Sequence, residues 1–94
     1  MRSELKNIYS TVLKECVDCA DMSLITDSPF TYFNQLDDIT IKITGEVYGD
    51  DITFKRGKIL SIDISSDIVN ISDKDKKEFS EKLSDDFWKI INKI

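Results

Sequence analysis

Ile39-Thr40-Ile41-Lys42-Ile43-Thr44-Gly45-Glu46-Val47 alternates apolar and polar side chains over most of its length. Ile39, Ile41, Ile43 and Val47 fall on one side and Thr40, Lys42, Thr44 and Glu46 on the other, the period of two that marks a strand with one buried face. Gly49-Asp50-Asp51 has turn chemistry, and Ile52 and Phe54 then resume the alternation. Lys55-Arg56-Gly57-Lys58 reads as a second turn, after which Leu60, Ile62 and Ile64 alternate with Ser61 and Asp63. Together these segments predict a three-stranded antiparallel meander.

Upstream, the period changes. Leu5, Ile8, Tyr9, Val12, Leu13, Cys16, Cys19 and Ala20 recur at spacings of three and four, which predicts an amphipathic helix over residues 4–20, with Ser3 as its N-cap. Between Asp21 and Asp38 the pattern weakens. Asp27-Ser28-Pro29 is turn chemistry, because proline fixes its own φ and pushes the preceding residue toward extended geometry. Phe30, Tyr32, Phe33 and Leu36 then fit either a strand or one or two helical turns opened by Ser28 and Pro29, and residues 29–37 stay open between the two. Downstream, residues 67–71 read as a connector. Ser72 is an N-cap with Asp73 and Asp75 on the first turn, where the helix dipole favours carboxylates. Phe79, Leu83, Phe87, Ile90, Ile91 and Ile94 form the apolar side of this last helix, and Lys89 and Lys93 complement its C-terminal end. A sheet with one apolar face and two amphipathic helices is completed by laying both helices on that face. The expected fold is therefore α+β, a two-layer sandwich in a single domain spanning residues 1–94.

Composition narrows the function. The 94 residues carry 13 Lys and Arg against 18 Asp and Glu, a net charge of -5, with three Gly, one Pro, two Cys and no His. Without histidine the chain lacks the commonest general base and metal ligand, so a non-enzymatic role is expected, with no cofactor and no metal. No apolar run approaches the roughly 18 residues of a membrane span, and no segment has the pattern of a secretory signal, so a cytoplasmic location is expected. A domain of this size buries only about 60–65% of its unfolded surface, a weakness that a homodimer relieves.

Cys16-Val17-Asp18-Cys19 is a C-x-x-C motif, but it lies toward the far end of a helix, where the dipole disfavours thiolate, and no second pair completes a zinc site. It reads as two small core thiols. The acidic pairs Asp37-Asp38, Asp50-Asp51 and Asp85-Asp86 lack any metal-loop spacing and read as solvated turn and surface residues. Charge is unevenly distributed. Residues 1–38 hold 3 positive and 7 negative side chains, residues 39–71 hold 4 and 5, and residues 72–94 hold 6 and 6. Between Lys14 and Lys42 the charged residues are Glu15, Asp18, Asp21, Asp27, Asp37 and Asp38, all acidic, with Phe30, Tyr32 and Phe33 among them. Such a stretch reads either as a solvated loop whose rings cap the core or as an acidic face that steers a basic protein and offers the rings as anchors. Trp88 lies off the stripe of the last helix, at a partner contact or over the sheet edge. Lys55, Arg56 and Lys58 in one turn, with Lys42 nearby, either are solvated or touch a phosphate backbone.

Residues 44–94 resemble the YbaB/EbfC family of nucleoid-associated proteins. The resemblance rests on Thr44-Gly45-Glu46, the hairpin from Ile52 to Gly57, Ile62-Asp63-Ile64 and the helix opening from Ser72 to Lys77. It implies a helix, three strands and a helix, a homodimer, and DNA as ligand. Departures are Phe87 and Trp88, where the family keeps small residues, and a longer entry into the sheet through residues 21–38. Two functions follow. The first is a stoichiometric protein-binding module, such as an immunity protein, antitoxin or inhibitor of a nucleic-acid-handling enzyme, binding through Glu15, Asp18, Asp21, Asp27, Phe30, Tyr32, Phe33, Asp37, Asp38 and Trp88. The alternative is a homodimeric DNA-binding protein using Lys42, Lys55, Arg56 and Lys58.

Overall fold

The computed structural model describes residues 1–24, 29–49 and 54–92. Asp27, most of the expected Gly49-Asp50-Asp51 turn, Ile52, Lys93 and Ile94 lie outside the described residues. The element order is α1 (Ser3–Ser23), β1 (Phe30–Leu36), β2 (Ile39–Gly49), β3 (Lys55–Ser65) and α2 (Asp73–Ile91). The strands form one antiparallel sheet in the order β1-β2-β3, and both helices pack on its apolar face. This is the expected two-layer α+β sandwich. Among the described residues no helix is long and apolar enough to cross a membrane.

Each helix buries most of the stripe its sequence spells, while Leu13, Cys19 and Ile90 of the expected stripes are only partly covered. Leu5, Ile8, Tyr9, Val12, Cys16 and Ala20 are buried on α1, and Phe79, Leu83, Phe87 and Ile91 on α2. Ser72 caps α2, its hydroxyl accepting from the Asp75 N–H at 3.1 Å. Ser3 instead opens α1 as its first residue, and Arg2 occupies the N-cap position without a side-chain bond. The helices run parallel to each other. Met1 at the start of α1 pairs its ammonium with Glu78 at 2.9 Å, Tyr9 meets Phe79 edge to face with ring centroids 5.4 Å apart, and the Tyr9 hydroxyl donates to Asp86 at 2.6 Å.

In the sheet the central strand matches the expectation and its neighbours do not. Ile39, Ile41 and Ile43 are fully buried beneath the helices. Residues 30–36, left open between strand and helix, form β1. Phe30 and Tyr32 point into the core, and every residue from Phe30 to Leu36 is in register with β2. Asp37 and Asp38, both at positive φ (50° and 65°), form a two-residue turn between Leu36 and Ile39. That backbone suits the twist of a tight hairpin, and aspartate tolerates it better than most residues do.

Residues 55–58 are not a turn. They lie inside the eleven-residue β3, with Tyr48 opposite Arg56 and Val47 opposite Gly57. The glycine that suggested a turn is there for clearance. A Cβ at Gly57 would sit 2.9 Å from the Ile91 Cγ2, so its absence lets α2 close onto the strand. Leu60 also departs from its expected inward position. The register shifts between Thr44 and Gly45, pairing Thr44 with Ser61 but Gly45 with Ile59. The extra residue reverses the alternation, so Ile59 packs against the core and Leu60 is 52% exposed.

Gly45 is held to its size at this irregularity, because a Cβ would lie 2.5 Å from the Phe30 Cζ and 2.8 Å from the Lys58 carbonyl oxygen. Gly45→Ala is expected to cost about 1–3 kcal/mol, measured as a lower urea midpoint with an unchanged slope.

Candidate functional site

Three-dimensional packing disperses the acidic stretch. Glu15 faces β1, where its carboxylate accepts from the Tyr32 hydroxyl at 2.5 Å and from the Asn34 amide at 3.1 Å. Asp21 pairs with Lys55 at 2.8 Å. Asp18 lines a shallow recess between the helices with Leu13, Val17 and Ile90. Asp37 and Asp38 sit at the opposite end of β1 from Phe30, about 20 Å of strand away, and the Asp38 carbonyl is held by the Ser66 hydroxyl at 2.7 Å. Of the rings assigned to a docking face, Phe30 and Tyr32 are core residues, and Phe30 stacks obliquely on Phe87 at 5.6 Å between centroids. Only Phe33 (66% exposed) and Trp88 (55%) remain at the surface, Phe33 on the uncovered sheet face and Trp88 on α2. The reason is the period of β1: Phe33, one residue out of phase with Phe30 and Tyr32, points away from the helices.

The cationic set is also divided. Lys55 turns toward Asp21 and is largely covered. Lys42 lies on the open face of β2, opposite Asp63, four residues or about 13 Å along the strand from Glu46. Glu46 pairs with Lys58 at 3.7 Å. Arg56 and Lys58 line a recess of about 240 Å³ at the margin of β3, together with Glu46, Tyr48, Gly57, Trp88 and Asn92. This site joins Trp88 to Arg56 and Lys58, which the sequence had placed in different sets. Tyr48 and Asn92 were missed. Tyr48 is 52% exposed, with Phe54 near its ring, and it reads in sequence as one more polar-face residue of a strand.

Asn92 gives the recess its floor. Its side-chain amide donates to the Gly57 carbonyl at 3.0 Å and its oxygen accepts from the Gly57 N–H at 3.2 Å, so one amide satisfies both outward backbone groups of β3 at that point. The same amide nitrogen donates to the Trp88 carbonyl at 2.8 Å, tying the α2 terminus and Trp88 to the strand. An asparagine just past a helix end signals a helix stop in sequence, but its partner 35 residues away does not show there.

Cys16 is buried, and burial pushes its thiol up to about 12. Cys19 is partly covered and donates weakly to the Thr31 carbonyl at 3.5 Å. The pair is a pair of packing thiols, and among the described residues no cluster of His, Cys, Asp or Glu is grouped as a metal site requires. None of the protein-family models, curated proteins or solved structures compared with the chain matches it.

Burial, then the hydrogen bond to Glu15, raises the Tyr32 phenol from 10.0 to about 12, and burial with the bond to Asp86 raises Tyr9 as well. A phenol whose folded pKa exceeds its unfolded value adds stability that is complete below pH 10 and is lost as the pH rises through the folded pKa. The chemical-denaturation midpoint should therefore fall between pH 10 and 12, and Tyr32→Phe should flatten that fall. With a thiol reagent at neutral pH, Cys16 should react only after unfolding in denaturant, and Cys16→Ser should remove the slow phase.

Proposed function

We propose that the protein is a non-enzymatic binding module that works by stoichiometric association with another protein, as an inhibitor or immunity-type partner does. The observation carrying this reading is the convergence of Trp88, Tyr48 and Arg56 on one recess. These are the residue types most enriched among the anchors of protein interfaces, because each covers a large area with a rigid group and still offers a polar edge. Trp88 and Tyr48 are both more than half exposed, an unusual state for rings of this size in a small domain with a filled core. Asn92 fixes the backbone beneath them, so little order is lost when a partner seats.

Charge acts at two ranges in this reading. The net charge of -5 favours encounter with a basic partner at long range. At contact, Arg56 and Lys58 offer donors to a carboxylate at the partner's rim, and Glu46, already beside Lys58, keeps the recess from being uniformly positive. The dispersed carboxylates Asp18, Asp37 and Asp38 belong to the long-range field rather than to the docking face.

The DNA-binding alternative draws on the same Arg56 and Lys58, two cations beside a ring on which a base stacks. Capture of cellular partners on the purified chain, run beside a low-salt gel shift, tests the reading. A single protein retained at one-to-one ratio, lost with Trp88→Ala or Tyr48→Ala and kept with Asp37→Lys, supports it. DNA retarded at low salt, released steeply by added salt and lost with Arg56→Ala and Lys58→Ala, with no protein retained, overturns it.

A further inference from the structure

The two outer strands of the sheet end differently. On β3 the outward backbone groups of Gly57 are closed by the Asn92 amide. On β1 the hairpin fixes which groups face outward. Leu36 and Ile39 flank the two-residue turn, so Leu36, and with it Asn34, Tyr32 and Phe30, direct their N–H and C=O groups at β2. Thr31, Phe33 and Gln35 direct theirs away from the sheet. Two local bonds agree with this phase: the Thr31 carbonyl accepts from the Cys19 thiol at 3.5 Å, and the Gln35 N–H is accepted by the Asn34 side chain at 2.9 Å. Among the described residues no group bonds the Phe33 N–H or C=O.

Among the described residues the edge of β1 lacks the devices that keep strands apart. Phe30–Leu36 contains no charged residue, no proline and no irregularity in its register, and its central ring, Phe33, is the most exposed ring among the described residues. It is also self-matching. Phe33 is the midpoint of the seven residues and an outward-bonding one, so a two-fold axis beside it sets Phe33 against Phe33, Thr31 against Gln35 and Phe30 against Leu36, with every pair in phase. An axis elsewhere along the strand leaves outward groups unmatched. Glu15 faces β1 on the helical side, and Tyr32 and Asn34 hold its carboxylate.

We infer that β1 is the contact between two copies of this chain, which pair antiparallel about Phe33 into a continuous six-stranded sheet. The weak Cys19 and Asn34 bonds to Thr31 and Gln35 are exchanged for backbone bonds to the second copy, and the two Phe33 rings lie side by side on the open face. This contact is separate from the recess at Trp88 and leaves it uncovered, so either can fail without the other.

The purified chain should have a mass in solution of about twice 10.8 kDa at micromolar concentration, and added salt should strengthen pairing by screening like net charges. Phe33→Pro removes an N–H that β2 does not use and should give the single-chain mass with the circular dichroism of a folded domain. Where that variant fails to fold, Phe33→Lys sets like charges across the axis and should do the same. Cysteine substitution reads the register. Residues directly opposed in an outward-bonding pair lie about 5.5 Å apart at Cα, within disulfide reach, whereas Thr31 or Gln35 lies about 13 Å from its own copy. Mild oxidation should thus link Phe33→Cys to itself, and Thr31→Cys to Gln35→Cys when the two are mixed, with neither of the latter linking to itself. A single-chain mass up to millimolar concentration overturns the inference, as does self-linking of Thr31→Cys as fast as that of Phe33→Cys. So does protection of the Phe33 amide from exchange only when a different protein is added.

Discussion

Everything in this molecule is arranged around the need to cover one face of β2. Ile39, Ile41 and Ile43 expose nothing to solvent, and burying three such side chains contributes about 1.5–3 kcal/mol each. A single helix is too narrow to cover them. Two helices side by side do so, and the aromatic pairs Tyr9 with Phe79 and Phe30 with Phe87 fill the seams between helix and helix and between helix and sheet. The opposite face needs no cover, because Thr40, Lys42, Thr44 and Glu46 point there.

Once the helices are docked, their polar fringes have to find partners. Tyr9 meets Asp86 while the Lys82 ammonium lies 4.1 Å above its ring, Glu15 meets Tyr32 and Asn34, and Asp21 meets Lys55. Each of these joins elements far apart in the chain and draws in charge that would otherwise be displayed. The acidic surplus of residues 1–38 is thus partly consumed in holding α1 to the sheet. Among the described residues, Asp18 on the helical surface and Asp37 and Asp38 at the hairpin remain, and they face different directions.

Both outer strands illustrate how a small sheet deals with its margins. At β3 the last residue of the described chain folds its amide onto Gly57, and the recess around Trp88 is a consequence of that tie. At β1 no comparable device appears among the described residues, and the strand presents an uncharged row centred on Phe33. One margin is tied to the chain at Gly57 by the Asn92 amide, and the other leaves the outward groups of Phe33 without a partner among the described residues.

Local periodicity determined the two helices, the central strand, the Ser72 cap and the packing of both helices on one sheet face, since each follows from which residues within a few positions share a side. The strand at residues 30–36 was half legible: Phe30 and Tyr32 alternate correctly, but the adjacent Phe33 spoils the period and suggests a helix as readily. Asp37-Asp38 was legible as a turn pair, but not as the two-residue hairpin that makes residues 30–36 a strand. Tertiary structure decided the rest. Gly57 looks like a turn residue until α2 is placed beside it, and the inward or outward fate of Leu60 depends on a shift of one register position opposite Gly45. No local pattern encodes which carboxylates are consumed in pairing, or that Trp88, Tyr48 and Arg56 meet, because those facts depend on distances between residues 8 to 77 positions apart in the chain, which exist only after the sheet has paired and the helices have settled on it.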